Sequence, residues 1–199
     1  MDLLSSLGRT LGFSFAAGIN LYATVAILGL ASRYGWVALP EQYRIFDNNW
    51  IIGIALVLYV VEFIADKIPW VDSVWDTIHT VVRPIGGAAI AVATLGQASP
   101  AMETVVALLG GALATSTHLS KTSTRVLANA SPEPFSNWIL SLGEDGFVIA
   151  LSALALTHPA AAAIVVLVCV ALIVAFLMWV VRAVGRLFRK QQPASSGQL

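Results

Sequence analysis

Four long apolar runs, residues 14–32, 50–65, 101–117 and 160–181, constrain this chain more than any other feature. A bilayer core about 30 Å thick is crossed by about 20 helical residues, and these runs approach or reach that length. Only 11% of the residues are charged, against about 25% in soluble domains, so the chain cannot cover its surface with polar groups. Mean hydropathy is +0.82. Trp36, Trp50, Trp70, Trp138 and Trp179 fall near run ends, where an amphipathic ring suits the headgroup region. The expected fold class is an all-α polytopic membrane protein whose first partner is the lipid bilayer.

A formal net charge of zero argues against a nucleic-acid partner, because no basic face has been assembled. The single cysteine, Cys169, lies inside the last apolar run, which excludes a disulfide framework and a thiolate metal cage. No cofactor-binding pattern is present, so none is expected, and a homo-oligomer is compatible with the pattern. The N-terminal stretch carries Asp2 and a late Arg9 before a long apolar run, which reads as a retained first span rather than a cleaved signal.

The pattern predicts six helices, at 11–33, 50–66, 79–96, 101–119, 136–156 and 160–183, within one transmembrane domain over 1–190. Residues 191–199 (QQPASSGQL) are expected to form a disordered polar tail. With six spans both termini share a side. That side holds Arg9, Lys67, Arg83, Lys121, Arg125, Arg182, Arg186, Arg189 and Lys190, and the other holds only Arg33 and Arg44. The positive-inside rule then places both termini in the cytoplasm. Gly86, Gly87, Ala88 and Ala89 on the third helix and Gly110, Gly111, Ala112 and Ala114 on the fourth predict close helix packing.

A shift of 92 residues lays Gly18, Leu21 and Arg33 over Gly110, Leu113 and Arg125, and Pro40-Glu41 over Pro132-Glu133. After a four-residue slip, Asn49-Trp50-Ile51 matches Asn137-Trp138-Ile139. Halves at about 11–96 and 101–183 would each hold three spans. An odd number inverts the second copy, as in many small transporters.

The densest polar motif follows Pro69. Asp72, Asp76, His79 and Arg83 recur on one helical stripe, with Val71, Val74, Trp75, Ile78 and Val82 opposite. Two arrangements are compatible with it. The stripe belongs to an amphipathic helix in the cytoplasmic interface, or it faces the bundle interior, where Asp72, Asp76 and His79 are candidate metal ligands or proton carriers. Their spacing matches no specific metal signature.

Span length draws further acids inward. A second span ending before Glu62 would cover only residues 50–61, about 18 Å at 1.5 Å per residue, so Glu62 and Asp66 are pulled below the headgroups. A fifth span starting after Glu144-Asp145 would be equally short, which puts those two acids inside as well. Intramembrane carboxylates are costly and usually line a pathway or relay protons. Lys67, Arg83, Lys121 and Arg125 are their candidate partners. Lys121 and Arg125, with Asn129 one turn on, also form a candidate anion site. Ser131-Pro132-Glu133 resembles a helix start, with Glu133 and Asn129 in a loop or gate region. Asn20 needs a hydrogen-bond partner on another helix.

The strings GINLYATV, VEFIADKIPWVDSVWDTIHTVVRPIGGA, KTSTRVLANASPEPFSNW and LSLGEDG resemble a family of small bacterial integral-membrane proteins, the domain-of-unknown-function 4126 family. The resemblance runs from about Gly18 to the last span. It implies that Glu62, Asp66, Lys67, Asp72, Asp76, His79, Arg83, Lys121, Arg125, Asn129, Glu133, Glu144 and Asp145 belong to the family signature, and it places the chain in a bacterial inner membrane. It implies no activity. From the residues alone, the leading expectation is a transporter or channel-like permease for a small ion or polar solute, with proton coupling open to it through the intramembrane carboxylates, and enzymatic activity stays an open question. A membrane enzyme acting on a lipid or lipid-linked phosphate and a non-catalytic scaffold are the alternatives. No HExxH, GxSxG or phosphate-loop pattern is present.

Overall fold

A computed structural model describes residues 3–129 and 134–190. Among them every regular element is helical: α1 Leu3–Ile19, α2 Leu21–Tyr34, a 3-10 turn Glu41–Phe46, α3 Asn49–Ala65, α4 Pro69–Leu95, α5 Pro100–Asn129, α6 Pro134–Thr157 and α7 Pro159–Lys190. By length and composition three stretches can cross a membrane, Pro69–Leu95, Phe135–Thr157 and Pro159–Phe176, and α3 is a shorter apolar helix. The protein is a membrane-embedded helical one.

Contacts divide the chain into a unit of Met1–Val166 and a second of Leu167–Leu199. In the second, α7 exposes Leu167, Val168, Leu172 and Trp179, a surface suited to lipid. Glu133 and the expected tail, 191–199, lie outside the described residues, as does the Ser131-Pro132-Glu133 helix start.

The first span differs from expectation. Residues 11–33 do not form one helix, because the chain breaks at Asn20, whose backbone is extended (φ −144°, ψ 99°). The Asn20 side chain explains the break: its Oδ1 accepts from the Ala23 amide at 2.9 Å, an N-cap that starts α2 afresh. The third helix also differs. It begins at Pro69 rather than 79, so the polar stripe and the small-residue segment lie on one continuous helix. Pro84 sits inside it and forgoes the backbone bond to the Thr80 carbonyl, a loss that helices packed in a membrane bundle tolerate. α5 continues through the polar block to Asn129 instead of ending near 119.

Within the first unit α1 is the centre, packed on α4, α5 and α6, with Phe13, Ala16 and Ala17 fully buried. Its approach to neighbours depends on residues without bulk. A methyl group at Gly12 would meet Ala155 Cβ at 2.8 Å, and one at Gly110 would meet the Gly87 carbonyl at 2.8 Å and Ser14 Oγ at 3.0 Å. The expected α4–α5 contact is therefore present, with α1 lying against the same seam. Where lipid removes the hydrophobic drive between helices, this close packing supplies the cohesion.

Candidate functional site

The half of the bundle opposite the Gly96–Ser99 turn is polar inside. α4 contributes Asp72, Asp76, His79 and Arg83, all essentially inaccessible, so the stripe faces the bundle interior and not the interface. Its apolar counterpart is outward, with Val74 and Ile78 exposed. α5 contributes His118, Lys121 and Arg125 on one face, the end of α3 contributes Glu62 and Asp66, and α6 contributes Glu144 and Asp145.

These side chains form one ion-pair network. Arg83 Nη2 donates to Glu62 Oε1 at 2.6 Å, and Arg83 Nη1 lies 3.5 Å from Asp76 Oδ1. Lys121 Nζ reaches Asp66 Oδ2 at 2.9 Å, Glu62 at 3.4 Å and Glu144 at 3.6 Å. Arg125 holds Glu144 through two bonds, at 2.5 and 3.2 Å, and grips Asp66 at both its carboxylate and its backbone carbonyl. Asp72 Oδ1 lies 3.9 Å from Arg125 Nη1. Charges buried this deeply persist only when paired and hydrogen-bonded.

The two histidines have assignable tautomers. Arg83 Nη1 always donates, so His118 Nδ1 accepts it and His118 Nε2 carries the proton, donated to Thr80 Oγ1 at 3.1 Å. His79 is the reverse: Nδ1–H donates to the Trp75 carbonyl at 2.7 Å, and Nε2 accepts from Tyr22 Oη at 3.0 Å. Both nitrogens of His79 are thus engaged. Among the described residues no three His, Cys, Asp or Glu side chains are grouped to hold a metal ion. Asp76 Oδ2 accepts instead from Thr122 at 2.9 Å.

Tyr22 also lines an apolar cavity of about 420 Å³ between α2, the 3-10 turn, α3 and α4, with Ile51, Leu58, Gly86 and Ile90. The break at Asn20 faces the network from the other direction. Arg83 Nη1 and Lys121 Nζ each donate at 3.4 Å to the last α1 carbonyls, Gly18 and Ile19 respectively. Cations at a helix C-terminus oppose the negative end of its dipole. Asn20 Nδ2 donates to Asp145 Oδ1 at 3.1 Å, the interhelical partner that a buried asparagine needs.

Lys67 stands at the edge, in the turn between α3 and α4. Its amine donates to the Phe63 carbonyl and to Ser141, and lies 3.0 Å from the centre of the Phe63 ring. Burial pushes its pKa below the ordinary lysine value. In the 3-10 turn, burial pushes the Tyr43 phenol up.

Of the expected residues, Glu62, Asp66, Asp72, Asp76, Arg83, Lys121, Arg125 and Glu144 join in one network, with His79 and Asp145 at its margins. Asn129 ends α5, and its side chain lies outside the described residues. His118 and Thr122 escaped notice in the sequence. His118 lies three and seven residues before Lys121 and Arg125, which was the available signal.

A family model described as Domain of unknown function (DUF4126) matches residues 7–181, and the chain belongs to that family. No curated protein and no solved structure matches it.

Proposed function

We propose that this member of an uncharacterised membrane family is a small transporter or channel-like permease for a small ion or polar solute, coupled to protons through its buried carboxylates. The observation that carries this reading is a charge imbalance. Among the described residues the cluster contains six carboxylates, Glu62, Asp66, Asp72, Asp76, Glu144 and Asp145. Against them stand Arg83, Lys121 and Arg125, with Lys67 at the edge. Both network histidines are neutral in the tautomers assigned above. Two or more surplus negative charges in a low-dielectric interior demand protons or a bound cation.

The broken helix supports the same reading. A discontinuous helix whose ends face a charged site is the usual way membrane transporters build a binding centre. The inverted repeat rests on the 92-residue register and on element order alone, α1 with α2, α3 and α4 set against α5, α6 and α7; the lengths differ, with 17 residues in α3 against 24 in α6, and α5 is continuous where α1 and α2 part at Asn20. Lys67, Lys121 and Arg125 assign the cluster end to the cytoplasmic side of a bacterial inner membrane in this reading. The expected six spans with both termini cytoplasmic are not kept: Arg9 bonds the Leu156 carbonyl and Thr10 meets Thr94 at the other end of α6 and α4, so α1 descends from that end to Asn20 and α2 returns toward it, a re-entrant pair rather than one crossing. A lipid-phosphate enzyme would need Arg83, Lys121 and Arg125 to grip phosphate, whereas all three are engaged by carboxylates.

The test is flux in vesicles reconstituted with the full chain and loaded with a pH dye. Proton movement under an imposed gradient, reduced by Glu62→Gln, is the expected result. No proton or solute flux under any gradient, with Glu62→Gln and Glu144→Gln indistinguishable from the native chain, would overturn it.

A further inference from the structure

Five of the six acids are bound to cations: Glu62 to Arg83 and Lys121, Asp66 to Lys121 and Arg125, Asp72 to Arg125, Asp76 to Arg83, and Glu144 to Arg125 and Lys121. Asp145 differs. It is more than nine-tenths buried and pairs with no cation among the described residues. Its Oδ1 accepts from Asn20, and its Oδ2 has no partner. Around it stand the carboxylates of Glu62 and Asp66 and the phenol of Tyr59 from α3, the Lys67 amine from the α3–α4 turn, and the Lys121 amine from α5. Glu144 precedes it on α6.

From this geometry we infer that Asp145 carries the exchangeable proton of the cluster, and that Asn20 transmits its charge state to the break between α1 and α2. The residue and its coupling ion deepen the transport reading and depend on it for their use, but the chemistry stands apart from it. One asparagine side chain performs two tasks: Oδ1 caps α2 through the Ala23 amide, and Nδ2 donates to Asp145. The ionised carboxylate accepts a charge-assisted bond and opposes the positive end of the α2 dipole. A proton from water adds to Oδ2, and both attractions weaken together. Release returns the proton to water and restores them. The far side of the break is tied separately, since the Gly18 and Ile19 carbonyls are held by Arg83 and Lys121. α1 is thus fastened to the cluster's cations and α2 to its one unpaired acid, and the extended residue between them is the pivot.

Infrared difference spectra of the full-length protein in lipid, recorded between neutral and acid pH, test this without a known solute. A protonated-carboxyl band is expected in the native chain, absent in Asp145→Asn and displaced in Asp145→Glu. Asparagine keeps an acceptor for Asn20, and a thermal melt checks that the variant folds. Should it not fold, Asn20→Ser supplies the second measurement. Loss of a donor to the ionised form moves the band's midpoint to higher pH, and an unmoved midpoint overturns the inference. A band unchanged in Asp145→Asn also overturns it, while vesicle flux would leave transport standing. A band lost in Asp145→Asn from a protein that shows no flux upholds the inference and removes the transport reading.

Discussion

Arg83 Nη2 lies 2.6 Å from Glu62 Oε1, and neither side chain is exposed at all. The pair joins α4 to α3, two helices that otherwise share few contacts. Removing one member of such a pair leaves a buried charge without its counterion, which costs about 3–5 kcal/mol. Arg83→Met is therefore expected to destabilise by about that amount. Arg83→Met with Glu62→Gln should cost less than the two single changes together. Reversible unfolding in mixed micelles measures the cycle. Strict additivity would mean that the two groups do not depend on each other.

Asn20 gives an ordered series. Asn20→Ala loses the α2 cap, worth about 1 kcal/mol, and leaves Asp145 Oδ1 without a donor. Asn20→Ser retains a capping oxygen and loses only the reach to Asp145. Thermal melts should rank the native chain above serine, and serine above alanine. Equal melts for serine and alanine would remove the capping role.

Two glycines predict opposite outcomes. Gly110→Ala drives a methyl group against Ala91 and the Gly87 carbonyl, and overpacking of this kind costs about 1–3 kcal/mol. At Gly53, on the exposed face of α3, nothing lies within 4 Å, and alanine should stabilise by up to about 1 kcal/mol through helix propensity. The comparison is made by unfolding both variants in the same detergent. A harmless Gly110→Ala would show that the α1–α4–α5 seam is looser than described.

The histidine tautomers are open to nitrogen NMR on histidine-labelled protein. His79 should carry its proton on Nδ1 and His118 on Nε2. Tyr22→Phe removes the donor to His79 Nε2 and should cost about 1 kcal/mol while leaving the His118 signals in place. Two histidines sharing one tautomer would contradict the hydrogen-bond directions assigned here.

Much of this was legible in the chain. Apolar run length sets the membrane class because the bilayer demands a fixed number of apolar residues. Period 3.6 put Asp72, Asp76, His79 and Arg83 on one stripe, and short spans pulled Glu62, Glu144 and Asp145 inward. These are properties of single helices, and a local pattern suffices to fix them. The break at Asn20 is not legible, because the run 14–32 stays predominantly apolar on both sides of it, and a single capping side chain leaves that hydrophobic pattern unchanged. The partners of each charge were not legible either. Lys121 and Arg125 suit a phosphate as well as a carboxylate, and their choice of Asp66 and Glu144 follows from how α5 rotates against α3 and α6. Sequence determined which residues must leave water. Only the packed bundle decided that five acids find cations while Asp145 finds an asparagine, because pairing depends on distances between helices that no single helix contains.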